Sequence, residues 1–207
     1  SVLTALNAAI IAISTADGAG ADVRTSSGAA DTNYASEDSI RLDRDNAKSY
    51  LKFDLSVIPD LDTITEVTFT IEQIPNYGPK DIEFFGINLD YDFVVQDGRL
   101  SATAWGETAI THNNAPASGA GGSVSTANSR SILFGELTAD LTNQFYTYTE
   151  SSTDASTPLL DYLNGTSGFS DGTSSLIRSF IVAEGPSSNR NTEIYGSKET
   201  GGGIIRS

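Results

Sequence analysis

Glu66-Val67-Thr68-Phe69-Thr70-Ile71-Glu72 alternates polar and apolar residues without a break. Val67, Phe69 and Ile71 fall on one side of an extended chain, with the acids and threonines on the other. That period of two is what a strand with one buried and one wet face requires. The same period recurs outward from this stretch. Leu51, Phe53 and Leu55 alternate with Tyr50, Lys52 and Asp54, which are expected to face water. Phe85, Ile87, Leu89, Tyr91 and Phe93 make a longer row. Ile82 and Phe84 lie in the opposite phase, which predicts a bulge near Phe84–Phe85. Leu176–Ala183 is apolar in both phases, as a central strand covered on both sides would be. Asp17-Gly18, Pro75-Asn76-Tyr77-Gly78, Asp97-Gly98 and Asn164-Gly165 supply turns between these runs. One short helix is expected, with Thr157 as its cap, Pro158 in its first turn and Gly165 at its stop. Leu159, Leu160 and Leu163 would dock it. Ala117–Arg130 is a Gly/Ser-rich loop of small residues, expected to be mobile. The class is all-β: an antiparallel β-sandwich with one short helix.

The 207 residues suit one sandwich domain, taken as 17–207, preceded by an apolar segment, 1–16. A formal net charge of −15 repels phosphates and anionic lipid surfaces, so neither nucleic acid nor membrane is an expected partner. No apolar run is long enough for a membrane span. The chain has no Cys, which removes disulfides, zinc-thiolate sites and thiol nucleophiles together. It opens at Ser1 and contains no Met, which reads as a processed, secreted or cell-surface protein.

An ordered set of short blocks runs along the chain. Ala30-Asp31-Thr32-Asn33-Tyr34 is followed by Tyr50-Leu51-Lys52-Phe53-Asp54-Leu55-Ser56 and Ile58-Pro59. Then come Trp105-Gly106-Glu107, Ile110-Thr111, Asn113-Asn114, Ala115-Pro116, Asp140-Leu141-Thr142, Leu163-Asn164-Gly165 and Ser197-Lys198-Glu199. In this order they resemble the DNRLRE-type domains, which include disaggregatase-related modules and an alginate-binding class of carbohydrate-binding module. The resemblance spans roughly Ala21 to Glu199. It implies a jelly-roll-like sandwich of a secreted protein, often attached to polysaccharide-degrading enzymes.

Four departures from the family pattern bear on function. His112 stands where the family usually has a second Trp. Asn143–Thr157, with Phe145, Tyr146 and Tyr148, is an insertion that could add a strand. The closing strand looks missing or stunted, since Ser197-Lys198-Glu199 is followed by Gly201-Gly202-Gly203-Ile204-Ile205-Arg206-Ser207. At the front, Val2–Ile13 is a surplus apolar segment. A sandwich short of a strand exposes unpaired backbone beside an open core. A neighbouring copy could fill that gap by strand addition, giving a head-to-tail filament. Val2, Leu3, Leu6, Ile10, Ile11, Ile13, Ile204 and Ile205 would make that contact. The competing expectation is recognition of an extracellular polysaccharide such as alginate.

Asp43-Arg44-Asp45-Asn46 gathers oxygen ligands in a tight loop, so Asp43, Asp45 and Asn46 are candidate Ca²⁺ ligands. The pattern lacks the Gly and the later Glu of an EF-hand, and a solvated turn between strands is the preferred reading. Asp22 and Asp31 are weaker alternatives, and Asp90 and Asp92 read as surface charge. Catalysis finds little support. There is one His, in a Thr-His-Asn-Asn turn that suits a hydrogen-bonded structural role, and no G-x-S-x-G elbow. No two of the many carboxylates stand out as a glycosidase pair. Sugar sites combine aromatic platforms with polar and cationic groups. Exposed candidates are Tyr34, Tyr77, Tyr91, Tyr146, Tyr148, Trp105, Arg41, Lys52 and Lys80. Arg41 and Lys52 are the expected partners of uronate carboxylates. Trp105 also reads as a loop anchor.

Overall fold

The computed structural model describes residues 10–37, 39–58, 63–72, 81–138, 145–169, 175–186, 193–196 and 203–206. Val2, Leu3, Leu6, Tyr77 and Lys80 lie outside the described residues. The strands are β1 (Ile11–Ser14), β2 (Ala21–Ser26), β3 (Ser39–Leu42), β4 (Ala47–Asp54), β5 (Glu66–Glu72), β6 (Asp81–Ile87), β7 (Ser131–Thr138), β8 (Phe145–Ser151), β9 (Ile177–Glu184), β10 (Glu193–Gly196) and β11 (Gly203–Arg206). Two short helices, α1 (Phe93–Asp97) and α2 (Pro158–Asn164), join them.

Strand order is β1-β11-β5-β8 in one sheet and β2-β4-β9-β6-β7 in the other, with a small β10-β3 pair beside them. Setting aside β2, β3 and β10 leaves eight strands. In chain order they run 1-8-3-6 and 2-7-4-5 across the two sheets, which is the jelly-roll winding. The core lies between the sheets. Val67, Phe69 and Ile71 of β5 meet Leu51 and Phe53 of β4, Ile82 and Phe84 of β6, and Phe180 and Val182 of β9. Phe84 stacks between Phe69 and Phe180, with centroids 4.0 and 5.0 Å away. Burying one such ring contributes about 1.5–3 kcal/mol.

The five-stranded sheet is covered on its other face too. Residues 88–130 fold back over it and form a second apolar cluster. In that cluster Phe93, Trp105, Ile110, Ala115 and Ala117 pack on Val23, Tyr50, Phe85, Ile87 and Ile181. This layer explains three differences from the sequence reading. The side of β4 expected to be wet is buried along its whole length, Lys48, Tyr50, Lys52 and Asp54 included. The row from Phe85 to Phe93 is not one strand. β6 ends at Ile87, and Asp92 Oδ1 accepts from Val95 N to start α1. The expected bulge does fall between Phe84 and Phe85, but Phe134 of β7 is the extra residue. β6 itself alternates regularly, and both of its phases are apolar because both of its faces are covered.

β9 lies in the middle of its sheet, as its two apolar phases suggested. The segment expected to be an insertion does form a strand, β8, which pairs with β5 and is one of the eight strands of the jelly roll. Helix α2 starts at Pro158 and stops at Gly165 (φ 71°), but Thr157 makes no side-chain cap. The carboxylate of Glu150, on β8, caps it instead. It accepts from Leu159 N at 2.9 Å and Leu160 N at 2.9 Å.

The closing strand is present. β11 is short, yet it lies between β5 and β1 of its own chain, with Ile204 opposite Phe69 and Ile13 and Ile205 opposite Thr68 and Ala12. Ile11 belongs to the strand pairing with β11, and Ile13 is buried in the core. Ile10, just ahead of β1, is 73% exposed. The gap that head-to-tail assembly required is therefore filled within the chain. A four-residue strand behind a glycine run reads from sequence as a stunted end; pairing on both edges is what makes it complete.

Candidate functional site

The covering layer carries the site. At Asp97-Gly98-Arg99, helix α1 ends on the left-handed Gly98 (φ 65°), whose N–H caps the last turn. The chain then reverses and Arg99 emerges beside residues 117–130. A cleft of about 460 Å³ opens there, lined by Gln96, Asp97, Arg99, Ala117, Ser118, Ser125 and Arg130. Its walls are hydroxyls, an amide, one acid and two guanidinium groups, in a protein whose net charge is −15.

The two arginines differ. Arg130 is bound on all three of its nitrogens: Nε and Nη2 donate to Asp97 at 2.7 and 2.6 Å, and Nη1 donates to Ala127 O at 3.0 Å. Its guanidinium lies 5.1 Å from the ring centre of Tyr91, whose hydroxyl also reaches Asp97. The Arg130 hydrogen bonds hold the Asp97 carboxyl below its usual range, so Asp97 stays ionised and its charge is answered. Arg99 has one bond among the described residues, Nη1 to Ala115 O at 2.7 Å. No other hydrogen bond of Arg99 is found among the described residues, and its side chain lines the cleft. A carboxylate fits a guanidinium fork with two parallel hydrogen bonds.

Two further basic groups lie near Arg99. Lys48 is fully buried, and its Nζ donates to Gly121 O at 3.0 Å and Gly119 O at 3.4 Å. Burial first, and then the Arg99 charge, pull its pKa down to about 7. Either form of the amine keeps the two N–H groups that those carbonyls accept. His112 is lowered to about 4 by burial and by the charges of Lys48 and Arg99. Its Nδ1 is buried with no hydrogen-bond partner among the described residues. The expected hydrogen-bonded role for this residue is thus corrected at Nδ1. Among the described residues His112 also has no hydrogen-bonded carboxylate orienting it, as a general base would need.

The sequence candidates scatter. Of the nine sugar-binding candidates, none among the described ones lines this cleft; Tyr91 comes nearest, through its contacts with Arg130 and Asp97. Lys52 is not solvent-facing: it is 7% exposed, and Nζ donates to Trp105 O at 2.5 Å under the covering layer. Trp105 is no platform, since it is 1% exposed and its Nε1 donates to Ser179 Oγ at 3.1 Å. One face of Tyr34 is taken by Arg24, 3.6 Å from its ring centre. Tyr148 is half-buried, its hydroxyl donating to Phe134 O at 2.9 Å. Arg41 lies on β3, half-buried between core residues Ile40 and Leu42. With Arg24 first, its charge helps to hold Glu37 below the usual carboxylate range. Arg99, Arg130 and Ser118 were not singled out from sequence. Asp97-Gly98 signalled a turn, and nothing local showed that 117–130 would fold against it.

In the Asp43–Asn46 loop, Asp43 Oδ1 accepts from Asp45 N at 3.0 Å and the backbone closes on Ala47. Asp22 accepts from Thr15 and Asp31 from Asn113. Among the described residues no three His, Asp or Glu side chains gather as a metal site would require. A larger cleft of about 560 Å³ near Asn164 and Leu176 includes Arg178. That guanidinium is spent on the carbonyls of Tyr162, Leu163, Ser175 and Ile177, so it holds the end of α2 and offers little to a ligand.

The fold is a jelly roll, and its loop layer carries a polar, cation-bearing cleft. The sequence profile of carbohydrate-binding module family 96 matches residues 15–157, and the chain belongs to that family. Modules of this class bind carbohydrate and are not catalytic. Comparison with curated proteins finds no match. No helix among the described residues is long and apolar enough to cross a membrane.

Proposed function

We propose that this chain is a non-catalytic, extracellular or cell-surface module that binds an acidic polysaccharide such as alginate in the Arg99 cleft. One observation carries the reading: Arg99 lines a polar cleft with one hydrogen bond among the described residues, while the neighbouring acid, Asp97, is already neutralised by Arg130. A sugar carboxylate would dock on Arg99 without meeting uncompensated negative charge nearby. Gln96, Ser118 and Ser125 would meet ring hydroxyls, and Tyr91 would flank the sugar as an amphipathic edge. Family membership supports the sugar, and the cleft's cations support the acidic class. The chain's overall negative charge makes this local reversal of sign the selective feature. The in-chain pairing of β11 with β1 and β5 removes the ground for preferring filament assembly.

Isothermal titration with an alginate hexasaccharide and with a neutral cello-oligosaccharide of equal length tests the proposal. Heat of binding for the acidic sugar, weakening as salt is added, is the expected result. Equal or stronger binding of the neutral sugar would reject the acidic class.

A further inference from the structure

We propose that Lys48 is a positioning residue for the glycan site: its amine, beneath the 117–125 loop, fixes where that loop's wall stands relative to Arg99. The inference rests on the assignment of the cleft as the sugar site. Lys48 lies in the same phase of β4 as Tyr50 and Lys52, on the side away from the sandwich core. Its amine points into the protein. It is fully buried, and its bonds among the described residues go to two backbone carbonyls, Gly119 and Gly121. Two residues on, Tyr50 Oη donates to Pro116 O at 3.1 Å, and Lys52 does the same for Trp105 O. One row of β4 side chains thus fastens the covering layer by its backbone.

The fastened loop opens on a strained residue, Ala117 (φ 52°); the other non-glycine positive φ values among the described residues, Asn128 (53°) and Ser129 (57°), fall in the turn that follows it before β7. Such conformations persist only where the surroundings impose them. Ala117 itself lines the cleft, and Ser118 and Ser125 follow it in the wall. The loop also rests on the β3–β4 turn, with Gly122 N donating to Arg44 O at 3.1 Å. Gly121 has φ 58°, and an added Cβ would sit 2.6 Å from Asp45 O. A substitution there lifts the loop from its other side without changing any charge.

The test compares Lys48→Met, Gly121→Ala and Arg99→Ala, titrated with an alginate hexasaccharide across a series of salt concentrations. Lys48→Met and Gly121→Ala are each expected to weaken binding on the order of tenfold, as loss of a charged hydrogen bond or its geometry would. Both should keep the wild-type slope of log affinity against log salt. Arg99→Ala should flatten that slope by up to about one unit, because it removes a direct charge contact. If Lys48→Met flattens the slope as Arg99→Ala does, Lys48 touches the ligand and the proposal is wrong. Unchanged affinity in both Lys48→Met and Gly121→Ala would equally overturn it. Should the wild type bind no hexasaccharide, the sugar-site assignment fails by itself. Amide hydrogen exchange over 117–125 then decides the clamp: faster exchange in Lys48→Met supports it, and unchanged exchange refutes it.

Discussion

Replacing Trp105 with alanine separates an anchor from a sugar platform, because the two roles move different observables. The indole is 1% exposed and sits edge-on to Tyr50, with ring centres 6.1 Å apart. It also donates to Ser179 Oγ, and Lys52 Nζ lies 5.0 Å from its ring centre. Truncating a fully buried large aromatic costs about 3–5 kcal/mol, cavity included. For a chain of this length each kcal/mol lowers Tm by about 2–4 °C, so a loss near 4 kcal/mol corresponds to about 8–16 °C. Thermal unfolding followed by circular dichroism reads this directly. Trp105 is the chain's sole tryptophan, so wild-type fluorescence supplies an independent check. Its emission should be blue-shifted and should not respond to bound hexasaccharide. A Trp105→Ala protein that melts within about 2 °C of wild type yet no longer binds sugar would refute the anchor assignment.

Other perturbations probe the frame that holds the cleft. Glu150→Ala strips two helix N–H groups of their buried acceptor and should cost about 3 kcal/mol, whereas Glu150→Gln, keeping one oxygen, should cost about 1 kcal/mol; urea unfolding distinguishes them. Equal losses for the two variants would mean that the cap is not what matters. Gly86→Ala places a methyl 2.4 Å from Phe134 Cζ and should destabilise by about 1–3 kcal/mol, read from the same unfolding curves. His112 titrates near 4 in the folded chain and near its ordinary 6.5 when unfolded. Between those values the unfolded state binds more protons, so stability should rise with pH from about 4 to about 6.5 and be lost on acidification through that window. His112→Asn should flatten that segment of the pH–stability profile, and an unaltered profile would show that other groups dominate it.

The strands were legible wherever one face is wet and the other buried. Val67, Phe69 and Ile71 announce β5, and Thr157–Gly165 announces α2 through Pro158 and Gly165. Legibility failed where burial came from a distant segment. Lys52 looks exposed because lysines usually are, and only the folding of residues 88–130 over β4 buries it. Leu89, Tyr91 and Phe93 continue the phase of β6, but Asp92 can cap a helix, and the local cap prevailed over the period. β11 was underestimated because its four residues draw support from pairing on both sides. The cleft was hidden for the same reason as Lys52. Arg99 and Ser118 are far apart in sequence, and their meeting depends on the covering layer that β4 fastens from below.

The decisive measurement is the map of backbone amide shifts when the ¹⁵N-labelled protein is titrated with an alginate hexasaccharide. Saturable shifts concentrated at Gln96–Arg99, Ala117, Ser118, Ser125 and Arg130 are predicted. Shifts centred instead on Arg41, or on the Asn164–Leu176 cleft, would contradict the placement of the sugar site on the covering layer.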